Sequence, residues 1–274
     1  MDDKKLEELK NQLPDIQNGK DQRGVKIDWC GIEKYRVPIQ TLTIDGDMQT
    51  TISSIDMMVD LESELKGVNM SRFVRVIEDT AEKNLVTGDM MEEMLKTCRD
   101  KLEAKNSYIV ASFPYCVKKE APVSKKVSHS TYDCNICGVL EEGQMRFYLE
   151  VNVPYTSLCP CSAEISQYSA HNQRSNATIR VRMKDYGEYI YIEEIVDIVE
   201  SVASCPIWNS LKRPDEKYVT EKAYENPRFV EDMIREIALK LDEDERIEGY
   251  KIKVEHFESI HQHNAVARIT KNIK

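Results

Sequence analysis

The residues best suited to chemistry lie in one stretch, Val153–Ser175, VPYTSLCPCSAEISQYSAHNQRS. Cys159 and Cys161 flank Pro160. In a regular strand two such cysteines face the same side, because side chains repeat every two residues. The proline removes a backbone donor and stiffens the turn. His171 follows, then the polar run Asn172, Gln173, Arg174 and Ser175. A thiolate and an imidazole so placed can share a divalent metal: zinc or iron by ligand softness, manganese if a carboxylate joins. Against this, a free cysteine is usually a small buried hydrophobe, and a lone histidine is usually structural. Cys-Pro-Cys with a downstream His-Asn-Gln-Arg is more specific than either, although it lacks the paired regularity of a zinc ribbon.

Other clusters carry less. Cys134 and Cys137 in DCNICG are half a structural zinc site, a redox pair, or two buried thiols. With no second pair at ribbon spacing and no βαβ context, we read buried thiols. Cys30, Cys98, Cys116 and Cys205 stand singly and read as core or surface thiols. The tract Leu211–Asp232, LKRPDEKYVTEKAYENPRFVED, holds Lys212, Arg213, Asp215, Glu216, Lys217 and Glu231. Much of it is what a solvated loop and helix start show, and Glu231 falls in a first helical turn, where the macrodipole favours a carboxylate. Its cations, beside an acidic loop, also suit a phosphate chain. In HFESIHQHN, Glu258 and His261 lie three residues apart in a turn and can face one site as an acid/base pair. His256 and His263 read as surface residues.

These segments need a scaffold. The chain has 274 residues and a net charge of −10, room for one large or two smaller domains. So acidic a chain is a poor general nucleic-acid binder, and no apolar run approaches a membrane span. The charged start, MDDKKLEELK, has no signal-peptide core, which implies reduced thiols and a cytoplasmic protein. Residues 1–30 read as a mobile tail, with a short helix at LEELKNQL. YRVPIQTLTI and TTISSIDMMVDL alternate around DGD, a hairpin signature, and SRFVRVIED reads as a further strand. Thr80–Lys105 has helical spacing, with Leu85, Met90, Met94 and Leu95 on one face and Gly88 able to split it. SYIVASFPYCVKK returns to strand.

The second half repeats that order: strands at MRFYLEVNVPYTSL and ATIRVRMKDY, then a helix at EEIVDIVESVAS with Ile195, Ile198, Val199 and Val202 inward. A helix follows at NPRFVEDMIREIALKL, capped by Asn226 with Pro227 at its first position. Strands at YKIKVEHFES and HNAVARITKNI close the chain. This weak duplication, including Asn69–Arg72 against His171–Arg174 at two strand entries, implies two α+β modules: residues 31–120 and 138–274, joined by a linker at 121–137.

Together LCPCSAEISQYSAHNQRS, LKRPDEKYVTEKAYENPRFVED and FESIHQHNA resemble GTP cyclohydrolase of type IB, from about Tyr35 to Ile269. The resemblance implies tandem tunnelling-fold modules, antiparallel sheets with helices on one face, assembling into a barrel. It implies a homotetramer with active sites where subunits meet, and a reaction that opens GTP at C8, releases formate and gives 7,8-dihydroneopterin triphosphate. The implied cofactor is a divalent metal, zinc, manganese or ferrous iron, which activates water. By motif, Cys159, His171 and Glu216 are its ligands, with Cys161 close by and assisting proton transfer. Glu231 anchors the guanine edge, and Glu258 and His261 are the acid/base pair. By charge, Arg174, Lys212, Arg213 and Lys217 take the triphosphate. One departure stands out: Gly67-Val68-Asn69-Met70-Ser71-Arg72 carries Asn69 where the family pattern has histidine.

Two rivals remain open. One is an NADPH-dependent nitrile reductase of the same fold with a nucleophilic cysteine. The other is a non-catalytic protein in which Cys134, Cys137, Cys159 and Cys161 close one structural zinc site.

Overall fold

The structure, a computed structural model, describes residues 17, 19–81, 88–185 and 189–273. Eight strands form one antiparallel sheet in chain order: β1 (Ile27–Leu42), β2 (Met48–Leu61), β3 (Ser107–Glu120), β4 (Val127–Glu141), β5 (Gln144–Leu158), β6 (Asn172–Met183), β7 (Ile247–His256) and β8 (Ala265–Lys271). Helices α1 (Met70–Ala81) and α2 (Gly88–Lys101) lie between β2 and β3. Helix α3 (Pro160–Ile165) lies between β5 and β6, and α4 (Ile192–Val202), α5 (Arg213–Glu225) and α6 (Val230–Asp242) between β6 and β7. The expected α+β class with helices on one face is what the chain adopts.

Alternation explains the layering. Phe147, Leu149, Val151, Val153 and Tyr155 of β5 are buried on the helix side, as are Ala177, Ile179 and Val181 of β6 and Tyr250, Ile252 and Val254 of β7. The opposite face is polar, with Thr178 Oγ1 donating to Asn152 Oδ1 across β5 and β6 at 2.7 Å. The first hairpin turns at Thr43–Asp47, where Gly46 takes φ +84°, a left-handed conformation that glycine adopts without a Cβ penalty. Buried polar contacts tie the two halves together. The Tyr115 hydroxyl of β3 donates to Glu193 of α4 at 2.5 Å, and Lys119 Nζ meets Glu200 at 2.5 Å.

Several expectations change. SRFVRVIED is not a strand but most of α1. Phe73, Val76, Ile77 and Thr80 are buried while Arg75 and Glu78 are exposed, an i, i+3, i+4, i+7 face hidden by the alternating Phe-Val-Arg-Val. Helix α2 starts at Gly88 and buries Met94 and Leu95; Leu85 and the LEELKNQL helix lie outside the described residues. The 212–217 tract is not a loop but the start of α5, with Pro214 in its first turn. The last helix starts at Val230, not Pro227. Asp232 Oδ2 accepts from the Phe229 amide at 3.0 Å, while Asn226 closes α5 by donating to the Lys222 carbonyl oxygen at 2.7 Å.

The expected linker, 121–137, is a short turn followed by most of β4. Ser130, Tyr132 and Cys134 face the core, while Thr131 and Asp133 face outward. Polar outward positions make such a strand read as linker. The two arginine-ending quartets do not correspond either: Asn69–Arg72 opens a helix and His171–Arg174 opens a strand.

Candidate functional site

The chemistry-bearing segments converge where β5 ends. The Cys159 amide donates to the His171 carbonyl oxygen at 3.1 Å, extending the β5–β6 ladder one step past the pair Leu158 and Asn172. Cys159 and Cys161 do not share a strand face. Pro160 starts α3, Cys159 is its N-cap, and Cys161 is exposed on its first turn. Proline at a first helical position loses nothing, because its missing N–H would be unpaired there. A small apolar cluster of Leu158, Cys205 and Ala223, with Ala163, Ala170, Trp208 and Val219 against it, holds α3 and α5 beneath the site.

Two further segments reach the same place. The Arg228 amide donates to the Leu158 carbonyl oxygen at 3.0 Å, which brings the start of α6 and Glu231 towards Cys159. The loop after β7 arrives through Ser259, whose Oγ lies 3.4 Å from His171 Nδ1. Beside these segments an open groove of ≈ 360 Å³ is lined by Leu158, Ser169, Ala170, Thr220 and Tyr224 among others.

His171 is held through one ring atom. Nδ1 lies 2.9 Å from Gln173 Oε1. An amide oxygen only accepts, so this contact calls for a proton on Nδ1, and in the neutral ring that leaves the Nε2 lone pair free, the form a metal needs. The half-buried Cys159 thiol supplies a soft donor beside it. These two side chains fit a divalent metal in kind. Among the described residues, however, no three His, Cys, Asp or Glu side chains gather as a metal-holding group. Cys159 and His171 are together; Glu216 is exposed on α5 and does not join them into a closed set within one chain.

The other expected residues distribute as follows. Glu231 is exposed in the first turn of α6. Glu258 and His261 share the loop after β7, but the His261 ring stacks on His263, centroids 5.0 Å apart, rather than bonding Glu258. Lys212 and Arg213 are exposed at the start of α5, and Lys217 pairs with Glu221 at 3.7 Å. Arg174 lies on the strand face opposite Gln173 and Ser175.

Asp215, unassigned from sequence, is fully buried. It accepts from the amides of Val123 at 2.9 Å, Ser124 at 2.8 Å and Lys212 at 2.8 Å, pinning α5 to the β3–β4 turn. Burial works to raise its pKa, but bonds from Ser124, Lys212 and Val123 outweigh that and hold it well below the ordinary carboxylate range.

Sequence reasoning missed two residues. His256, expected on the surface, is buried. Burial pushes its pKa down to about 4, with nearby Glu231 pulling the other way. Gln173 is also buried. The signal for both was alternation: each falls on the inward register of its strand.

Cys134 and Cys137 are both buried. Three apart on β4, they face opposite sides: Cys134 joins the core, whereas Cys137 accepts from Arg180 Nη2 at 3.5 Å on the open face. Burial raises both thiols. One closed four-cysteine site is incompatible with that geometry. Asn69, the departure noted above, accepts from Ser71 Oγ at 2.7 Å at the start of α1.

Comparison with known proteins identifies the family. A family model described as type I GTP cyclohydrolase folE2 matches residues 13–267. Curated relatives named GTP cyclohydrolase FolE2 include one from Nitrosococcus oceani, 42% identical over 261 residues, covering 95% of this chain and 96% of the relative. Another, from Burkholderia thailandensis, is 44% identical over 260 residues, with 95% of each chain covered. Among solved structures, uricase from Arthrobacter globiformis superposes with a TM-score of 0.54 at 8% identity, over 92% of this chain and 93% of that one. Urate oxidase from Bacillus sp. TB-90 gives 0.54 at 10%, over 89% and 99%. At such identities the likeness is one of fold.

Proposed function

This chain belongs to the type I GTP cyclohydrolase folE2 family, and from that premise we propose that it is a metal-dependent GTP cyclohydrolase of the IB form. It hydrolyses GTP at C8, releases formate and yields 7,8-dihydroneopterin triphosphate, the first step of tetrahydrofolate synthesis in the cytoplasm. The observation that carries the reading is the pairing of Cys159 with His171 at the end of β5, with the start of α6 and the loop after β7 beside it.

Cys159 and His171, with Glu216, would hold the ion, and Cys161, two residues on in the first turn of α3, would assist proton transfer. A divalent zinc, manganese or ferrous ion, when bound, makes hydroxide available near neutral pH. Glu231 accepts the N1 and N2 hydrogens of guanine, which fixes C8 relative to Cys159 and His171. Glu258 and His261 exchange protons with the opening ring. Lys212, Arg213 and Lys217 hold the triphosphate, and Arg174, on the open sheet face, reaches substrate only from a neighbouring subunit.

Assembly into a homotetramer with the site between subunits completes this arrangement. Support comes from exposed apolar side chains: Ile165 is 84% exposed and Tyr168 93% in and after α3, and Phe257 and Ile260 are exposed in the loop after β7. So much apolar surface around a site marks a contact surface.

The test is turnover by chelated protein given GTP with zinc, manganese or ferrous iron in turn. Formate and oxidised-pterin fluorescence are both recorded. Formate with a pterin product, restored by metal and lost in Cys159→Ala and His171→Ala, supports the proposal. Folded, metal-replete protein that releases no formate overturns it.

A further inference from the structure

A chain of buried polar side chains runs inward from His171, and no part of the reaction above uses it. Gln173 Nε2 donates to Ser157 Oγ at 2.9 Å. Ser157 Oγ lies 2.7 Å from Ser175 Oγ, and Ser175 faces Tyr155 across the β5–β6 ladder; the Tyr155 hydroxyl lies 3.0 Å from His256 Nε2. Gln173 is 7% exposed, and Ser157, Ser175 and Tyr155 are fully buried. Buried hydroxyls and amides persist where each finds a partner, and each does here. Gln173 donates through its amide nitrogen to Ser157, and the two serine hydroxyls share one hydrogen bond behind it. With its nitrogen engaged by Ser157, Gln173 turns Oε1 outward, to Nδ1 of His171.

We propose that Gln173 is a positioning residue for His171. Locked by the buried Ser157–Ser175 pair, it holds the His171 ring in the Nδ1–H tautomer and aims Nε2 at the metal. The proposal rests on the metal reading of Cys159 and His171. Its physical content is pre-organisation. A histidine free to rotate or change tautomer spends part of its binding free energy on being ordered, whereas one clamped from behind does not. The competing contact, Ser259 Oγ at 3.4 Å, is longer than the 2.9 Å bond to Gln173 and belongs to an exposed loop.

The experiment measures zinc affinity of the full chain by chelator competition, with apo-protein melting recorded alongside. Gln173→Leu is expected to weaken zinc binding by about 10- to 100-fold, the usual effect of losing such a supporting partner. Gln173→Glu should restore it to within a few-fold of wild type: a carboxylate still accepts from Nδ1–H, and the Ser157 hydroxyl can turn to donate. Because Gln173→Leu buries an apolar group among hydroxyls, Ser157→Ala serves as a second variant. It removes the clamp but leaves Gln173 in place, and a smaller loss of affinity is expected. Nitrogen NMR of the apo protein, with His171 assigned through His171→Ala, should show a protonated Nδ1 that persists in Gln173→Glu. Wild-type affinity in Gln173→Leu or in Ser157→Ala, with His171→Ala clearly weakened, overturns the positioning role. Unchanged zinc affinity in His171→Ala overturns the metal reading instead.

Discussion

His256 Nε2 lies 3.0 Å from the Tyr155 hydroxyl, both side chains buried between the sheet and α6, and their rings meet edge to face at 5.9 Å. Burial holds the imidazole neutral and its pKa down to about 4, below the roughly 6.5 of an unfolded chain. The unfolded state therefore takes up a proton first as pH falls. Stability from this residue is whole above about pH 6.5 and drains away towards pH 4, by about 3 kcal/mol in all. Urea unfolding at fixed protein concentration, at pH 7, 5.5 and 4.5, should show that slope in wild type and a flatter one in His256→Gln. Parallel slopes would refute the assignment.

Asp215 and Glu216 are neighbours with opposite duties. Asp215→Ala strands three backbone amides and should lower the melting temperature clearly. In wild type, the Asp215 contribution is present above about pH 4 and lost on further acidification, because its pKa is depressed in the folded state. Glu216→Ala, an exposed change, should leave apo-protein melting within about 0.5 kcal/mol of wild type yet abolish metal-dependent formate release. Equal melting of the two variants would remove the structural role from Asp215.

Cys134 sits in the core at 1% exposure. Cys134→Ser should cost stability by placing a hydroxyl among apolar neighbours, while metal content per chain, measured by elemental analysis, stays at the wild-type value. Loss of metal with the fold intact would revive a structural site on β4.

Phe73 tests the first helix. It is fully buried on the α1 face, and Phe73→Ala should destabilise by about 3–5 kcal/mol. Arg75→Ala, exposed two residues on, should change stability by less than about 0.5 kcal/mol. Denaturant midpoints of the pair decide it; a strand would place positions 73 and 75 on the same face and give similar burial to both.

Much of the scaffold was legible because period-2 alternation survives in β1, β2, β3, β5, β7 and β8, and each was readable from its own residues. Errors fell where two periods fit the same letters. Phe-Val-Arg-Val in α1 satisfies a strand and a helix alike. β4 was lost because its outward residues are polar, as any strand covering only one face permits. Start and stop signals misled at Asn226, since an amide side chain serves a helix end as readily as a helix start.

At the site, residue types and spacing pointed to Cys159 and His171 as a metal pair and to Glu258 and His261 as an acid/base pair, while Glu216 and Glu231 were marked by the resemblance of their motifs to the cyclohydrolase family. The inward register that buries Gln173 and His256 follows the alternation of their strands, a local signal that the reading of His256 as a surface residue passed over. Only the folded chain decided which groups meet. Cys159 finds His171 through the β5–β6 ladder across an intervening helix, and Cys134 parts from Cys137 because a strand turns them to opposite faces. Tyr155 and His256, 101 residues apart in sequence, share one hydrogen bond. Such pairings depend on strand register over long separations, which no local pattern encodes.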